Sequence, residues 1–261
     1  VLNGGTAGAW NTVALGDGSS ASAYGARAIG SGSTASGVNS IALGESSTAS
    51  EWHAAATGKS SAASGSHSLA SGSGSTASSW HASATGGSSA ASGSHSLASG
   101  QSSTASNWHA SATGGNSTAS GSHSLASGQF STASYHHAVA SGASSTASGW
   151  HSTASGYNST ASGAASIAAA NDSKARTYSE TQFGTYVDTV SLGLLSDTSA
   201  TAFSAPDALF VIGNGTADDA RSNALVIRKD GSASFTDSVY VAGNMILNDS
   251  LNVAMDATFA S

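Results

Sequence analysis

Eight histidines recur at intervals of fourteen residues, and histidine is the side chain best suited to metal binding and proton exchange near neutral pH. They are His53, His67, His81, His95, His109, His123, His137 and His151. A metal site would need two or three imidazoles that converge, which residues a strand apart in parallel register rarely do. A pH sensor is the second functional interpretation. We favour a third, structural one, because His, like Asn, tolerates the backbone of turns better than most residues.

Four tryptophans, Trp52, Trp80, Trp108 and Trp150, immediately precede a histidine of this ladder. They are candidates for an aromatic stripe that binds glycans or an apolar partner. However, where this position holds Trp, the residue three places on is small, as in Trp80 with Ser83, and where it holds Ser, that residue is large, as in Ser94 with Leu97. Reciprocal size is typical of one shared packed layer. We therefore expect the tryptophans to pack at a corner of the fold or at a subunit seam.

A row of threonines, each with a Ser two residues on, is a candidate surface for ice or carbohydrate: Thr34, Thr48, Thr76, Thr104, Thr118, Thr132, Thr146 and Thr160. We favour a solvated strand face, since Ala62 and Ala90 interrupt the row. Recognition of a ligand is expected at the variable turn positions, because only positions that vary provide specificity. The candidates for ligand contact are Phe130, Tyr135, His136, Tyr157, Gln101 and Gln129.

All these residues belong to a 14-residue repeat that runs without insertion or deletion from Asn11 to about Ala164. Its fourth and eleventh positions are always Ala, and its sixth is always a turn glycine: Gly16, Gly30, Gly44, Gly58, Gly72, Gly86, Gly100, Gly114, Gly128, Gly142 and Gly156. Alternation on either side of the glycine predicts two short strands in each copy. A fixed short period predicts stacked coils. The prediction is a thin parallel β-roll with an interior of alanine methyl groups.

Such a coil buries too little to be stable alone, because methyl groups contribute only about 0.8 kcal/mol each. The outward third and fifth positions, with the tryptophans, carry larger apolar groups, which we expect to pack against other copies of the chain in closed symmetry. These packing residues are Val13, Leu15, Ile41, Leu43, Trp52, Leu69, Trp80, Leu97, Trp108, Leu125, Val139, Trp150 and Ile167.

Composition excludes several classes of function. Up to Ala170 there are two basic and three acidic residues, and from Asn171 onward five basic and eleven acidic ones, so no basic stripe for nucleic acid exists. No apolar run has the length of a membrane span, and there is no phosphate loop, nucleophile motif or metal signature. We expect no catalytic residues, cofactor or metal. The opening residues do not form a secretion signal, so we expect a piece of a longer protein.

Two segments, NTVALGDGSSASAYG (11–25) and NSIALGESSTAS (39–50), resemble the YadA-like head repeats of trimeric autotransporter adhesins. The motif of that family is close to N-S-V-A-I-G followed by small residues and A-x-G. The resemblance covers about 160 residues and implies a left-handed parallel β-roll, assembled as a parallel homotrimer on a bacterial surface. The chain departs from the motif from Thr57 onward, where the fifth position becomes Thr or Ser and the first becomes His.

Residues 171–261 lie outside the repeat, and DALFVIGNGTADDARSNALVIRKDGSASF predicts strands broken by Asn-Gly and Asp-Gly turns, with further strand-like pieces at 239–241, 245–247 and 251–254. We expect an all-β chain in two parts, a roll at 1–170 and a β-rich, neck-like connector at 171–261. The predicted function is an extracellular, non-enzymatic adhesin segment that attaches to an unidentified surface, protein or glycan. The alternatives are a phage tail or receptor-binding fibre on a virion, and an ice-binding solenoid.

Overall fold

The computed structural model describes residues 4–189, 199–236, 238–240 and 242. These residues form strands and turns, with no helix among them. The strands are β1 Thr6–Ala7, β2 Val13–Leu15, β3 Ser20–Ala21, β4 Arg27–Ile29, β5 Thr34–Ala35, β6 Ile41–Leu43, β7 Thr48–Ala49, β8 Ala55–Ala56, β9 Ala62–Ala63, β10 Leu69–Ala70, β11 Thr76–Ala77, β12 Ser83–Ala84, β13 Ala90–Ala91, β14 Leu97–Ala98, β15 Thr104–Ala105, β16 Ser111–Ala112, β17 Thr118–Ala119, β18 Leu125–Ala126, β19 Thr132–Ala133, β20 Val139–Ala140, β21 Thr146–Ala147, β22 Thr153–Ala154, β23 Thr160–Ala161, β24 Ile167–Ala168, β25 Lys174–Ala175, β26 Thr181–Thr185, β27 Ala208–Asn214, β28 Asn223–Arg228 and β29 Ala233–Phe235.

Two sheets form the walls of a parallel β-solenoid, which confirms the predicted roll of 14-residue coils. The odd-numbered strands β1 to β25 make a 13-stranded sheet, and the even-numbered strands β2 to β26, followed by β27, β28 and β29, make a 16-stranded sheet. Pairing is parallel and in register, so that Ala77 lies beside Ala63 and Ala91. Each residue therefore neighbours its own equivalents in the coils above and below.

The interior of the roll is a double row of alanines, as the sequence predicts. The alanines at positions four and eleven are 0–1% exposed from Ala14 to Ala175. The serines at position nine are buried beside them, and several donate their hydroxyl to the carbonyl of the turn glycine, as Ser75 Oγ does to Gly72 O at 2.6 Å. Only the smallest side chains fit between walls this close, because a larger one would overpack the interior.

Each coil consists of two seven-residue halves that share one backbone plan. A four-residue turn closes each half: Ser75 N donates to Gly72 O at 3.1 Å, and Ser68 N donates to Gly65 O at 3.1 Å. The third residue of each turn is left-handed, as at His67 (φ 58°) and Ser88 (φ 55°). Positions one and eight of the repeat are therefore equivalent corners at the two opposite edges of the roll.

The turn glycines are needed mainly for space. A Cβ built on Gly72 would lie 2.2 Å from the carbonyl oxygen of Gly86 in the next coil, and the same close approach recurs up the row. In the first three coils the glycine also has a positive φ, 130° at Gly16 and Gly30 and 139° at Gly44. A carbonyl stacked directly over the glycine leaves no room for a side chain.

The roll ends where polar side chains replace the interior alanine and serine. Gln182 stands at the alanine position of β26, and its side chain accepts from Lys174 N (2.7 Å) and donates to Lys174 O (2.9 Å). Glu180 is at position two, where the preceding coil holds the buried Ser166, and it accepts from the backbone N–H groups of Arg176 (2.7 Å) and Thr177 (2.8 Å). These bonds satisfy the edge of β25 that a further coil would have covered, so the two side chains cap the stack.

Strand pairing thus continues past residue 170, the end of the predicted roll, through β25 and β26. β27 adds to β26 in parallel, and β27, β28 and β29 then pair antiparallel around a small core of Val187, Ala208, Val211 and Val226. Val239 and Tyr240 are exposed and not in a strand. The strand-like pieces predicted at 245–247 and 251–254 lie outside the described residues. The two-part division of the chain and the hand of the roll stay predictions.

Candidate functional site

The histidine ladder occupies the left-handed corner at position one of the repeat. All eight histidines have φ between 53° and 58°. In the first three coils this corner is held by Asn11, Gly25 and Asn39. Asn and His are enriched among non-glycine residues with this backbone, and glycine adopts it freely. The corner conformation accounts for the choice of residue, in agreement with the structural interpretation of the ladder.

The eight imidazoles form one continuous stack along the edge of the roll. Adjacent rings are 4.8–5.1 Å apart between centroids and 6–21° apart in plane. The register of the parallel coils imposes this spacing, because equivalent residues repeat at the separation of neighbouring strands. Among the described residues no group of three or more His, Cys, Asp or Glu side chains is placed to hold a metal ion.

Stacking disfavours the charged form of the imidazoles. The pKa of His81 lies below its usual value, first because of desolvation and then because of repulsion from His67 and His95. The pKa values of His109 and His137 are lowered in the same way, by desolvation first and by their neighbouring imidazoles next. These shifts favour the neutral imidazole at His81, His109 and His137.

Each tryptophan of the inner coils lies against two histidines of the same chain. The ring centroid of Trp80 is 4.5 Å from that of His81 and 4.9 Å from that of His95, with the planes 66° and 74° apart. Trp108 repeats the arrangement with His109 (4.6 Å) and His123 (5.0 Å). In the single chain these indoles are about half exposed, so packing at a subunit seam stays a prediction.

The predicted ligand contacts fall on two opposite edges. Gln101, Gln129, Phe130 and Tyr157 are exposed at the corner that holds positions seven and eight. Tyr135 and His136 are exposed on the edge of the histidine ladder. The structure therefore brings only the last two together with the ladder, and the six residues do not form one site.

Tyr135 and His136 help to line a cleft of about 900 Å³ at the C-terminal end of the ladder, which the sequence did not predict. Residues 199–201 return to this edge, where Ala164 N donates to Ala200 O (2.7 Å) and Tyr178 N donates to Ser199 O (2.8 Å). The lining also includes the aromatic rings of His137, Trp150, His151 and Tyr178. The aromatic residues at positions 135, 150 and 178 could have indicated a site in the sequence. No sequence pattern indicates that residues 199–201 return to this edge.

The outer face of the larger sheet carries the apolar residues assigned to packing between chains. Leu69, Leu97 and Leu125 are 36–37% exposed, Val13 and Ile167 are 42% and 38% exposed, and Ile41, Leu43, Leu15 and Val139 are half-buried. They form a row along the roll, since Leu69, Ser83 and Leu97 are consecutive neighbours in register. This face is the only outward surface of the roll where large aliphatic groups recur from end to end within the described residues.

Comparison with known families agrees with this architecture. The family model of the YadA head domain repeat matches residues 11–33, 35–51, 112–134 and 151–169. A search of curated proteins gives no match. Within the described residues, no helix has the length and apolar character needed to cross a membrane. The matched segments lie near both ends of one uninterrupted stack of parallel 14-residue coils, so the chain carries YadA head domain repeats at both ends of this stack.

Proposed function

We propose that this chain is part of a non-enzymatic, homotrimeric fibre that stands on a cell surface and attaches it to another surface. The observation that carries the proposal is the row of leucines and other aliphatic residues on the outer face of the larger sheet. Large exposed apolar rows mark association surfaces. The YadA head repeat supports three as the number of chains.

The interior of the roll explains why the chain needs partners. Its core contains alanine methyl groups and buried serines, with no large aliphatic side chain between the sheets from Ala14 to Ala175. Full burial of a leucine contributes about 1.5–3 kcal/mol, about two to four times the contribution of a methyl group. Contact between the outer faces of three copies therefore supplies the apolar burial that each copy lacks.

Attachment follows from the shape and the repetition of the head. A stack of parallel coils grows by about 4.8 Å per coil, so it extends as a rod and displays the same edge many times. Three such edges in one fibre multiply weak contacts by avidity. The near absence of charge along the roll favours stacking and hydrogen bonding over ionic recognition.

The test compares two substitutions in one coil. Leu97→Asp places a carboxylate on the proposed shared face, whereas Thr104→Asp places one on the outer face of the other sheet. In sedimentation velocity we expect the parent and Thr104→Asp to be trimers and Leu97→Asp to dissociate. Beads coated with the parent trimer are expected to adhere to cells or matrix more strongly than beads coated with Leu97→Asp. A folded parent monomer, or equal behaviour of the two variants, would refute the proposal.

A further inference from the structure

The tryptophans beside the histidine ladder have one covered face and one open face. Each imidazole in the middle of the stack has both of its faces occupied by neighbouring imidazoles, so Trp80 can meet His81 and His95 only at their edges. Centroid distances of 4.5 and 4.9 Å at steep angles are those of edge-to-face contacts. The two imidazole edges therefore cover one face of the indole, and its 52% exposure in the single chain shows that no other group of this chain covers the opposite face.

The indole planes also run along the fibre. The imidazole planes stack along the ladder, and the indole of Trp108 is 59° and 71° from the planes of His109 and His123. An indole this steep to the stacked rings lies lengthwise on the edge of the roll. Contact with two coils at once fixes its orientation, so little order is lost when a ligand stacks on it.

These open faces recur at a regular interval. Trp52, Trp80 and Trp108 occupy the same position in every second coil, so they are about 9.6 Å apart along the roll. In an extended β-linked polysaccharide each pyranose advances by nearly one coil spacing, and alternate sugars present the same face. The three indoles therefore match every second sugar of such a chain, and the span from Trp52 to Trp108 accommodates five sugars.

The groups beside Trp80 and Trp108 are polar and uncharged, whereas the exposed Glu51 immediately precedes Trp52. Asn107 Oδ1 accepts from Trp108 N (2.8 Å) and from Ser122 Oγ (3.0 Å), and Ser79 Oγ lies 3.2 Å from Ser94 Oγ. From residue 60 to residue 171 the sequence contains no Asp, Glu, Lys or Arg. Hydroxyl and amide groups beside aromatic faces suit sugar hydroxyls, and the lack of charge disfavours a polyanion at neutral pH.

We propose that this edge, the tryptophan–histidine stripe, binds an extended, neutral, β-linked polysaccharide that lies along the fibre axis. The sugar rings place their C–H faces on Trp52, Trp80 and Trp108, which buries apolar area, and their hydroxyl groups bond to the neighbouring serines and Asn107. The inference deepens the proposed attachment function, on which it rests, by naming a ligand class.

Cello-oligosaccharides of two to six glucose units are the probe, titrated into the intact trimer at neutral pH and followed by calorimetry. A chain of three glucose units reaches two indoles and a chain of five reaches three. We therefore expect the affinity of the oligosaccharide to rise at three and at five units, by about tenfold each time. Oligosaccharides of four and six units are expected to bind little more tightly than those of three and five. Maltohexaose, whose α-linkages give a coiled chain, is expected to bind at least tenfold more weakly than cellohexaose.

Variants locate the binding. Trp80→Ala is expected to lower the affinity for the pentamer by about tenfold or more, and Trp80→Phe, which keeps an aromatic face, to retain most of it. Tyr157→Ala is the matched control, because Tyr157 is similarly exposed but lies on the opposite edge. Quenching of tryptophan fluorescence by acrylamide in the unliganded trimer checks that the indoles of the stripe are accessible to solvent. This control is needed because the variants alone would not show whether the indoles are buried between subunits.

Absence of binding, equal binding of maltohexaose, or indoles that acrylamide cannot reach would each overturn the inference. Sedimentation separates this failure from that of the proposed function. If the trimer adheres to cells but binds no cello-oligosaccharide, only the proposed ligand class is refuted. If the chain is monomeric in solution, the proposal of a trimeric fibre is itself refuted.

Discussion

Two adjacent glycines give the sharpest test of how the roll is held together. A Cβ on Gly86 would lie 2.3 Å from the carbonyl oxygen of Gly100 in the next coil, whereas the nearest atom to a Cβ on Gly87 is Ser73 O at 3.9 Å. Neither glycine has a positive φ, so backbone strain plays no part. Gly86→Ala and Gly87→Ala therefore differ only in the space that a methyl group finds.

The cost of Gly86→Ala follows from the distance that the coils must separate. Ordinary contact begins at 3.4 Å, so a carbonyl at 2.3 Å has to move by about 1 Å. Two hydrogen bonds that join these coils, Thr85 N to Ala98 O (2.9 Å) and Ser102 N to Gly87 O (2.8 Å), would then be lost. Thr85 and Ser102 are exposed, so each lost bond costs its net contribution of about 0.5–1.5 kcal/mol, which gives a loss of about 1–3 kcal/mol per chain.

Thermal unfolding followed by circular dichroism measures the difference. For a chain of this size, a loss in the middle of that range lowers the melting temperature by about 4–8 °C. Gly87→Ala is expected to be neutral or to stabilise the chain by about 0.4–1 kcal/mol, because alanine restricts the unfolded chain. The pair Gly114 and Gly115 repeats the experiment, with nearest atoms at 2.3 and 4.0 Å. Equal melting of Gly86→Ala and Gly87→Ala would refute the reasoning.

Two further predictions concern charge. A histidine whose pKa is lowered by folding binds fewer protons in the folded than in the unfolded chain, so its contribution is complete above the unfolded pKa of about 6.5 and is lost as pH falls from there through the lower pKa of the folded chain. For His81, His109 and His137, all with lowered pKa values, we expect the melting temperature to decrease between pH 8 and pH 5, and their joint replacement by Asn to flatten that decrease. The second prediction concerns the connector, where Lys229 Nζ is 3.4 Å from Asp207 Oδ2 and both side chains are almost fully buried. Lys229→Met leaves the buried carboxylate of Asp207 without its cation and is expected to lower the free energy of unfolding of β27–β29, measured in urea, by about 3–5 kcal/mol. Addition of Asp207→Asn is expected to recover part of this loss. Unchanged unfolding of Lys229→Met would contradict a buried ion pair.

The repeat predicted the roll well because its interior admits few solutions. Position four and position eleven must be small and position six must lack a side chain, and each constraint recurs in every coil, so the pattern is visible in one sequence. The equivalence of the two halves was not visible. The two corners of one coil carry different side chains, as His67 and Gly74 or His81 and Ser88 do, and only their shared positive φ shows that they are the same kind of corner.

The features that the sequence did not predict depend on contacts between residues that no local sequence pattern indicates. Gln182 and Glu180 look like ordinary polar residues of a strand, yet their side chains bond to the edge of β25 and so end the roll. The cleft needs Ala200 to lie beside Ala164, although 36 residues separate them in the chain. For the tryptophans, size alternation predicted packing at a corner of the fold or at a subunit seam, but the contacts with two imidazoles in the same chain required the geometry of stacked corners.

The distribution of variable residues bears on what kind of ligand the head recognises. Space fixes the interior and the turn glycines, and backbone conformation restricts positions one and eight, which leaves the exposed turn positions free to vary. A ligand that fits one small site would need one distinctive corner. Here the same indole, with the same histidine support, recurs at Trp52, Trp80 and Trp108. Because a single compact ligand would gain nothing from identical sites two coils apart, this repetition favours a ligand that is itself a regular polymer, aligned with the fibre.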